Sequence, residues 1–353
     1  MEVKRLGIIG TGLIGASVGL AAKRAGVGVV EGYDFYENVR EAALERGAVD
    51  RTVITAEEVL DADLVVVAVP VTALRSVLSD ALGSSDATIT DVGSTKRALA
   101  GAAGDARLVP GHPLAGGATG GPARAAADLF DGATWFLTPA ETSDTGRVEL
   151  VERFVASLGA RAVRLDAETH DRILAVTSHL PHALANLLMQ SVAAAGDDAL
   201  GYAGASLREM TRVAGANAGV WADVFVENGD MIADAVADIR NAAEDVERAL
   251  RTGDRAFFER WIAEAAATRS RMLEYAYRTE ARMLNRIRVR VPDKPGVLAR
   301  ITQSLGAAGI NIEDFELRHV SPEYGGVLVI LVAGADNAEL ARTLLRREGY
   351  SAA

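Results

Sequence analysis

The stretch Arg5-Leu-Gly-Ile-Ile-Gly-Thr-Gly-Leu-Ile-Gly-Ala-Ser-Val-Gly-Leu20 sets the tightest limit on what this chain can fold into. Its apolar start reads as a buried strand, and Leu13 to Ala25 reads as a helix entered through a glycine turn. The three spaced glycines have separate jobs: Gly10 makes the tight turn, Gly12 lets backbone approach a pyrophosphate, and Gly15 lets helix lie close on strand. The unpaired N–H groups of the first helical turn, which contains Leu13 and Ile14, face the phosphates. Glycine spacing alone also fits a purely structural loop. Here, however, a second strand from Val29 to Gly32 follows, ending in Asp34, which lies 19 residues beyond Gly15. A carboxylate at that point of a βαβ unit accepts hydrogen bonds from a ribose 2′-hydroxyl and repels a 2′-phosphate, so NAD is favoured over NADP.

A chain of 353 residues is long enough for two or three domains, each with a core of its own. With no cysteine, thiolate catalysis, cysteine metal ligation and a disulfide scaffold are all excluded, and the composition fits a reducing, cytoplasmic compartment. A formal charge of −11 argues against nucleic acid as a partner. No apolar run reaches the roughly 18–20 residues of a membrane span, and the N-terminus has no signal-peptide pattern, so a soluble protein without membrane attachment is expected.

Further along, Asn38 to Arg46 has helical spacing. Leu64 to Val69 is an apolar run stopped by Pro70, as in an interior parallel strand covered on both faces. A helix from Val71 to Leu82 and a strand from Thr88 to Val92 follow, then Gly93-Ser-Thr-Lys96. In an open parallel sheet the loops beyond the strand C-termini border the ligand crevice, so Val69, Pro70 and Thr72, with Gly93 to Lys96, are expected to line the cofactor. Ser94 fits either a ligand contact or the N-cap of a helix over Lys96 to Ala102. A short strand from Arg107 then feeds a glycine-rich loop with His112 at its mouth, where a ligand can come close. Strands at Trp135–Thr138 and Ala162–Leu165, around a helix from Gly146 to Ser157, complete a doubly wound α/β Rossmann-type domain over residues 1–166.

Residues 167–281 read as an all-α domain. His179 and His182 stand three apart on one helical face, and Pro181 between them should kink the helix. Packing, a substrate or cofactor pocket, and zinc binding all fit that pair. Farther on, Arg212 and Trp221 lie among small residues, where Arg212 fits a surface ion pair or a two-oxygen grip on a substrate carboxylate. The amphipathic stretch Ala243 to Tyr277 fits a bundle helix. Over residues 285–353 the pattern changes to a small α+β, ferredoxin-like unit. Strands are expected at Ile287–Val291, Gly309–Leu317 and Val327–Val332, with a short last strand near the end of the chain.

Taken together, these motifs resemble the prephenate dehydrogenases of tyrosine biosynthesis, in the form that carries a C-terminal ACT domain. The likeness covers essentially the whole length. It rests on Gly10-Thr-Gly-Leu-Ile-Gly15, Asp91-Val-Gly-Ser-Thr-Lys96, Gly111-His-Pro-Leu-Ala-Gly116, His170-Asp171, Ser178-His-Leu-Pro-His182, Thr211-Arg-Val-Ala214, Trp221, Asp293-Lys-Pro-Gly-Val-Leu298 and Gly309-Ile-Asn-Ile312. Ala118 and Ala218 depart from it, where the family usually has a polar or acidic residue and a proline. The resemblance implies oxidative decarboxylation of prephenate with NAD. It makes His112 the base and gives Ser94 the substrate hydroxyl to orient. Arg212 would hold a carboxylate, and His182, His179 and Trp221 would complete the pocket. It also implies a homodimer through the helical domain, and an ACT site at Pro295, Gly296, Asn311 and Ile312 for tyrosine or another aromatic amino acid. Arogenate dehydrogenase, a β-hydroxyacid dehydrogenase and a non-catalytic nucleotide or amino-acid sensor are the alternatives.

Overall fold

The computed structural model describes residues 3–99, 104–116, 120–277, 284–321 and 325–352. Ala118 therefore lies outside the described residues. The chain divides into two compact units, Met1–Ala242 and Ala243–Ala353.

In the first unit, strands β1 (Arg5–Ile9), β2 (Val29–Tyr33), β3 (Arg51–Thr52), β4 (Leu64–Val67), β5 (Thr88–Asp91) and β6 (Leu108–Val109) form one sheet in the order β3-β2-β1-β4-β5-β6. Every pairing in it is parallel. Helices α1 (Leu13–Arg24), α2 (Glu37–Glu45) and α3 (Val71–Ser84) connect its strands. Two apolar clusters are built on it, one around Leu6, Ile8, Val18 and Val66, the other around Val65, Val67, Leu74 and Ile89. Such two-sided burial explains why β4 reads as an unbroken apolar run.

The strands expected to complete that sheet do not join it. β7 (Gly111–Pro113), β8 (Thr134–Leu137) and β9 (Arg161–Arg164) form a separate three-stranded sheet, in which β7 runs antiparallel to β8. Pro110 is the physical reason for the break: it has no N–H to continue β6, and its carbonyl instead accepts from Thr138 at 2.9 Å. Helix α4 (Thr145–Ser157) joins β8 to β9. Helices α5 (Ala167–Leu174), α6 (Leu180–Ala194), α7 (Asp197–Gly201), α8 (Ala205–Met210) and α9 (Ala218–Glu227) follow, then α10 (Gly229–Thr252), within which the division into units falls. The kink at Pro181 takes the form of a π-helical turn over Ala175–His179. The N–H of Leu180 reaches back five residues to the carbonyl of Ala175, and this wider turn absorbs a residue that has no N–H.

The second unit holds α11 (Arg255–Tyr277) and a four-stranded antiparallel sheet in the order β11-β12-β10-β13. Its strands are β10 (Leu284–Val291), β11 (Asp314–Ser321), β12 (Gly325–Ala333) and β13 (Ser351–Ala352). Helices α12 (Val297–Ala307) and α13 (Ala335–Arg347) complete a βαββαβ order around a core that includes Ile287, Val289, Ile301, Leu305, Ile330 and Leu345. The strand expected from Gly309 begins only at Asp314. Gly309 (φ 72°) ends α12 in the left-handed conformation, and the N–H of Ile310 closes the helix on the carbonyl of Leu305 at 3.0 Å. Asn311 and Ile312 thus lie in the link before the strand.

Two glycines of the first turn are held by sterics. Gly10 has φ 92°, and a Cβ there would stand 2.4 Å from the carbonyl oxygen of Ala68; at Gly15 a Cβ would stand 1.9 Å from that of Gly10. A Cβ on Gly12 would meet nothing within 4 Å. Gly15→Ala is therefore expected to lower the melting temperature by several degrees, since overpacking costs about 1–3 kcal/mol. Gly12→Ala should melt like the parent. Calorimetry on the ligand-free protein checks both, and a wild-type melt for Gly15→Ala would mean that α1 moves off the sheet without strain.

Candidate active site

The open space at Gly12 coincides with the N-terminus of α1, where Gly12 is the N-cap and offers no side-chain oxygen to the helix. The first-turn N–H groups, those of Leu13 and Ile14 among them, have no partner within the helix and are free for an anion. Asp34 braces the turn: its Oδ2 accepts from the Thr11 N–H at 2.8 Å and its Oδ1 from the Tyr36 N–H at 3.1 Å. Val69 packs partly against the core, Pro70 caps α3, and the Thr72 hydroxyl donates to Asp223 on α9 at 3.3 Å. These residues fit a dinucleotide: room where the backbone meets phosphate, unpaired donors, and a carboxylate at the end of β2.

At the end of β5, Asp91 gathers three segments. Its Oδ2 accepts from the Gly93 N–H at 2.7 Å and pairs with the Lys96 ammonium, while its Oδ1 accepts from the Gly111 N–H at 3.1 Å. Both charged side chains are fully buried. Burial pushes the Lys96 ammonium down, against the pull of Asp91 and then Asp171. Lys96 therefore points into the protein rather than lining the cofactor crevice. The helix expected over Lys96–Ala102 is, among the described residues, a 3-10 turn at Arg97–Leu99. Ser94 does not cap it, because the carboxylate of Asp171 takes the N–H groups of Lys96 and Arg97, each at 2.9 Å. The half-buried Ser94 hydroxyl has no protein partner among the described residues.

His112 sits in β7 rather than in a loop, because Gly111–Pro113 pairs with Trp135–Leu137. Gly111 allows this, since a Cβ there would lie 2.7 Å from Trp135 Nε1 and 2.8 Å from the Asp91 carbonyl oxygen. His112 Nδ1 is 2.9 Å from His170 Nε2, and His170 Nδ1 is 2.7 Å from Asp171 Oδ1. Phe136, opposite His112 in the ladder, meets the His170 ring edge-on. The carboxylate accepts only, so His170 carries its proton on Nδ1; its Nε2 then accepts, and His112 donates from Nδ1. Nε2 of His112 is left as a bare acceptor. Burial, then His170, Lys96 and His179, push the His112 imidazole well below its ordinary range, so it is neutral at pH 7. Burial would raise the Asp171 carboxyl, but the hydrogen bonds from His170, Arg97 and Lys96 outweigh it and leave it lowered.

Four of the five histidines in the chain meet around this point. His179, pushed to about 4 by burial against the opposing pull of Asp171, touches the buried Asn228 and meets Trp221 edge-on at 6.0 Å. His182 stacks on the same indole, with ring centroids 3.4 Å apart. Burial, then Arg212, lowers the His182 imidazole. Arg212, exposed in the turn after α8, has no ion-pair partner among the described residues. Among those residues no group of three His, Asp or Glu is arranged to hold a metal ion.

The same chain matches the family description "Prephenate dehydrogenase, nucleotide-binding domain" over residues 18–164 and "Prephenate dehydrogenase, dimerization domain" over residues 166–264. An ACT domain matches over residues 285–349. A probable prephenate dehydrogenase of Streptomyces niveus is 30% identical over 97% of both chains. This chain belongs to the prephenate dehydrogenase family. It is accordingly an NAD-dependent oxidoreductase. The prephenate dehydrogenase of Aquifex aeolicus, solved in complex with hydroxyphenyl propionate and NAD+, is similar at 26% identity and a TM-score of 0.70, over 77% of this chain and 99% of that one. An arogenate dehydrogenase of Synechocystis is similar at 25% identity and a TM-score of 0.68, over 76% and 99%.

His170-Asp171 entered the sequence analysis only as a motif of the resemblance, without a role, and Asn228, Arg97 and the inward turn of Lys96 did not enter it. The local signal of the His170-Asp171 pair is its place directly after the Asp166–Thr169 cap of α5, whose carboxylate accepts from the Thr169 N–H at 2.8 Å. Lys96→Met would leave Asp91 without its buried counter-charge, and is expected to cost about 3–5 kcal/mol of unfolding free energy. Adding Asp91→Asn should recover part of that loss. Urea unfolding measures both, and a Lys96→Met midpoint equal to the parent's would show the pair to be dispensable.

Proposed function

We propose that this enzyme oxidatively decarboxylates prephenate to 4-hydroxyphenylpyruvate, with His112 as the proton acceptor. The observation that carries this reading is the chain of contacts His112–His170–Asp171, whose polarity assigns His112 Nε2 as an acceptor. When bound, NAD supplies the acceptor for the hydride leaving C4, as the ring loses CO2 and becomes aromatic. Gly10, Gly12, Leu13, Ile14, Gly15 and Asp34 would hold it, with Val69, Pro70 and Thr72 at the crevice wall. His112 Nε2 takes the proton of the C4 hydroxyl and returns it to the phenolate oxygen once CO2 has left. As it takes the proton, His112 Nδ1–H leans on His170 and the ionised Asp171 offsets the charge that develops. Ser94 orients the hydroxyl. Arg212, with no ion-pair partner among the described residues, receives a substrate carboxylate, and His182, His179 and Trp221 close the pocket.

The same reading divides the chain into a nucleotide-binding domain over residues 1–166, a helical domain over 167–281 through which two copies pair, and an ACT domain over 285–353. The absence of cysteine accords with a cytoplasmic setting. In the ACT domain the left-handed Gly296 (φ 85°) opens α12, Pro295 precedes it, and the Asn311 amide donates to Glu313 at 2.9 Å. Ile312 leans on the domain core. These residues would receive tyrosine or another aromatic amino acid and lower turnover.

His112→Asn is expected to reduce kcat at least about 10²-fold while NAD affinity stays near the parent's. Because His112 is held neutral to below the ordinary imidazole pKa of about 6.5, kcat/KM should stay level down to that pH and fall only beneath it. NADH formation at 340 nm with prephenate, and separately with arogenate, measures this; unchanged turnover in His112→Asn removes the base from the mechanism. For the ACT site, tyrosine inhibition at saturating prephenate should be weakened in Asn311→Ala. Equal inhibition in both enzymes would put its origin elsewhere.

A further inference from the structure

Asn228, the C-cap of α9, is fully buried, and its Nδ2 is 2.9 Å from the backbone carbonyl oxygen of Asp171 and 3.2 Å from His179 Nδ1. A carbonyl oxygen only accepts, so the amide atom beside it must be the nitrogen and not the oxygen. Its two hydrogens are then both assigned, one to Asp171 and one to His179. Nδ1 of His179 is thereby an acceptor, and in the neutral ring the proton sits on Nε2. The arrangement leaves Asn228 Oδ1 buried with no partner among the described residues, a costly state that folded proteins rarely keep.

We propose that Asn228 is a positioning residue that fixes His179 in its Nε2–H tautomer, so that this ring offers the substrate a donor and selects a keto acid over the corresponding amino acid. The proposal rests on the function given above, since prephenate and arogenate differ at that group: a keto oxygen accepts, whereas an ammonium must donate. The surroundings of His179 reinforce the choice. Trp221, which meets the ring edge-on, can only donate. A keto oxygen accepts from Nε2–H, whereas an ammonium has only donors to set against it, and a donor–donor mismatch of this kind discriminates strongly.

The test uses the full-length enzyme with NAD. The imidazole 15N signals of His179, assigned from the line missing in His179→Gln, should show the Nε2–H tautomer; an Nδ1–H tautomer overturns the proposal. In steady-state assays the wild type should favour prephenate over arogenate in kcat/KM by at least about 10-fold. Both His179→Gln, whose amide can present either face, and Asn228→Asp, which accepts from Nδ1–H and frees Nε2, should cut that ratio by about 10-fold or more. A purely structural role would lower both substrates alike. A wild-type preference for arogenate, or an unchanged ratio in His179→Gln, overturns the selectivity. If Asn228→Asp does not fold, the spectrum and His179→Gln decide. Turnover of neither compound would refute the assigned reaction instead, and the tautomer would stand or fall on the spectrum.

Discussion

The buried ion pair between Asp91 and Lys96 is the constraint on which the rest of the site depends. Two charges taken out of water cost several kcal/mol each, and their attraction offsets this only if the remaining polar sites are also filled. Asp91 fills its own with the N–H groups of Gly93 and Gly111. A single carboxylate thus sets the loop that carries Ser94 and the strand that carries His112. The backbone N–H of the same lysine binds Asp171, which ties α5 to the end of the parallel sheet.

From Asp171 the order passes through hydrogen bonds of fixed polarity. The carboxylate accepts, so each histidine after it has its tautomer dictated in turn, and the outermost nitrogen of His112 is left without a proton. The Asp171 carbonyl acts in the opposite sense through Asn228, which leaves His179 with its proton outermost. One residue, through side chain and backbone, therefore gives one ring an acceptor and another a donor. Burial and mutual repulsion keep both rings neutral, and without that neutrality neither assignment would hold at pH 7.

In the second unit, the limits of the sequence reading have a local cause. The α+β order was legible because alternation in β10 and helical spacing in α12 follow from burial of one face. The start of β11 was not legible, because apolar Ile310 and Ile312 look like strand residues whether they pair in a ladder or dock after a helix stop. The contact of Ile310 with the end of α12 settles it. In the same way Pro110, read as part of one short strand, separates two sheets.

What the sequence determined by itself is what short-range sterics dictate. Glycine at 10, 12 and 15, an apolar run into Pro70 and a carboxylate at 34 can be read without a fold, since each answers to its own backbone or its neighbours a few residues away. Only the tertiary structure decided the chemistry of the histidines. His112 and His170 are 58 positions apart and Asn228 is 49 from His179, so no periodicity links them. Which nitrogen bears a proton depends on partners brought together by the packing of α5 and α9 beside the sheet. A histidine in a sequence is a donor, an acceptor or a cation; the fold chose among the three.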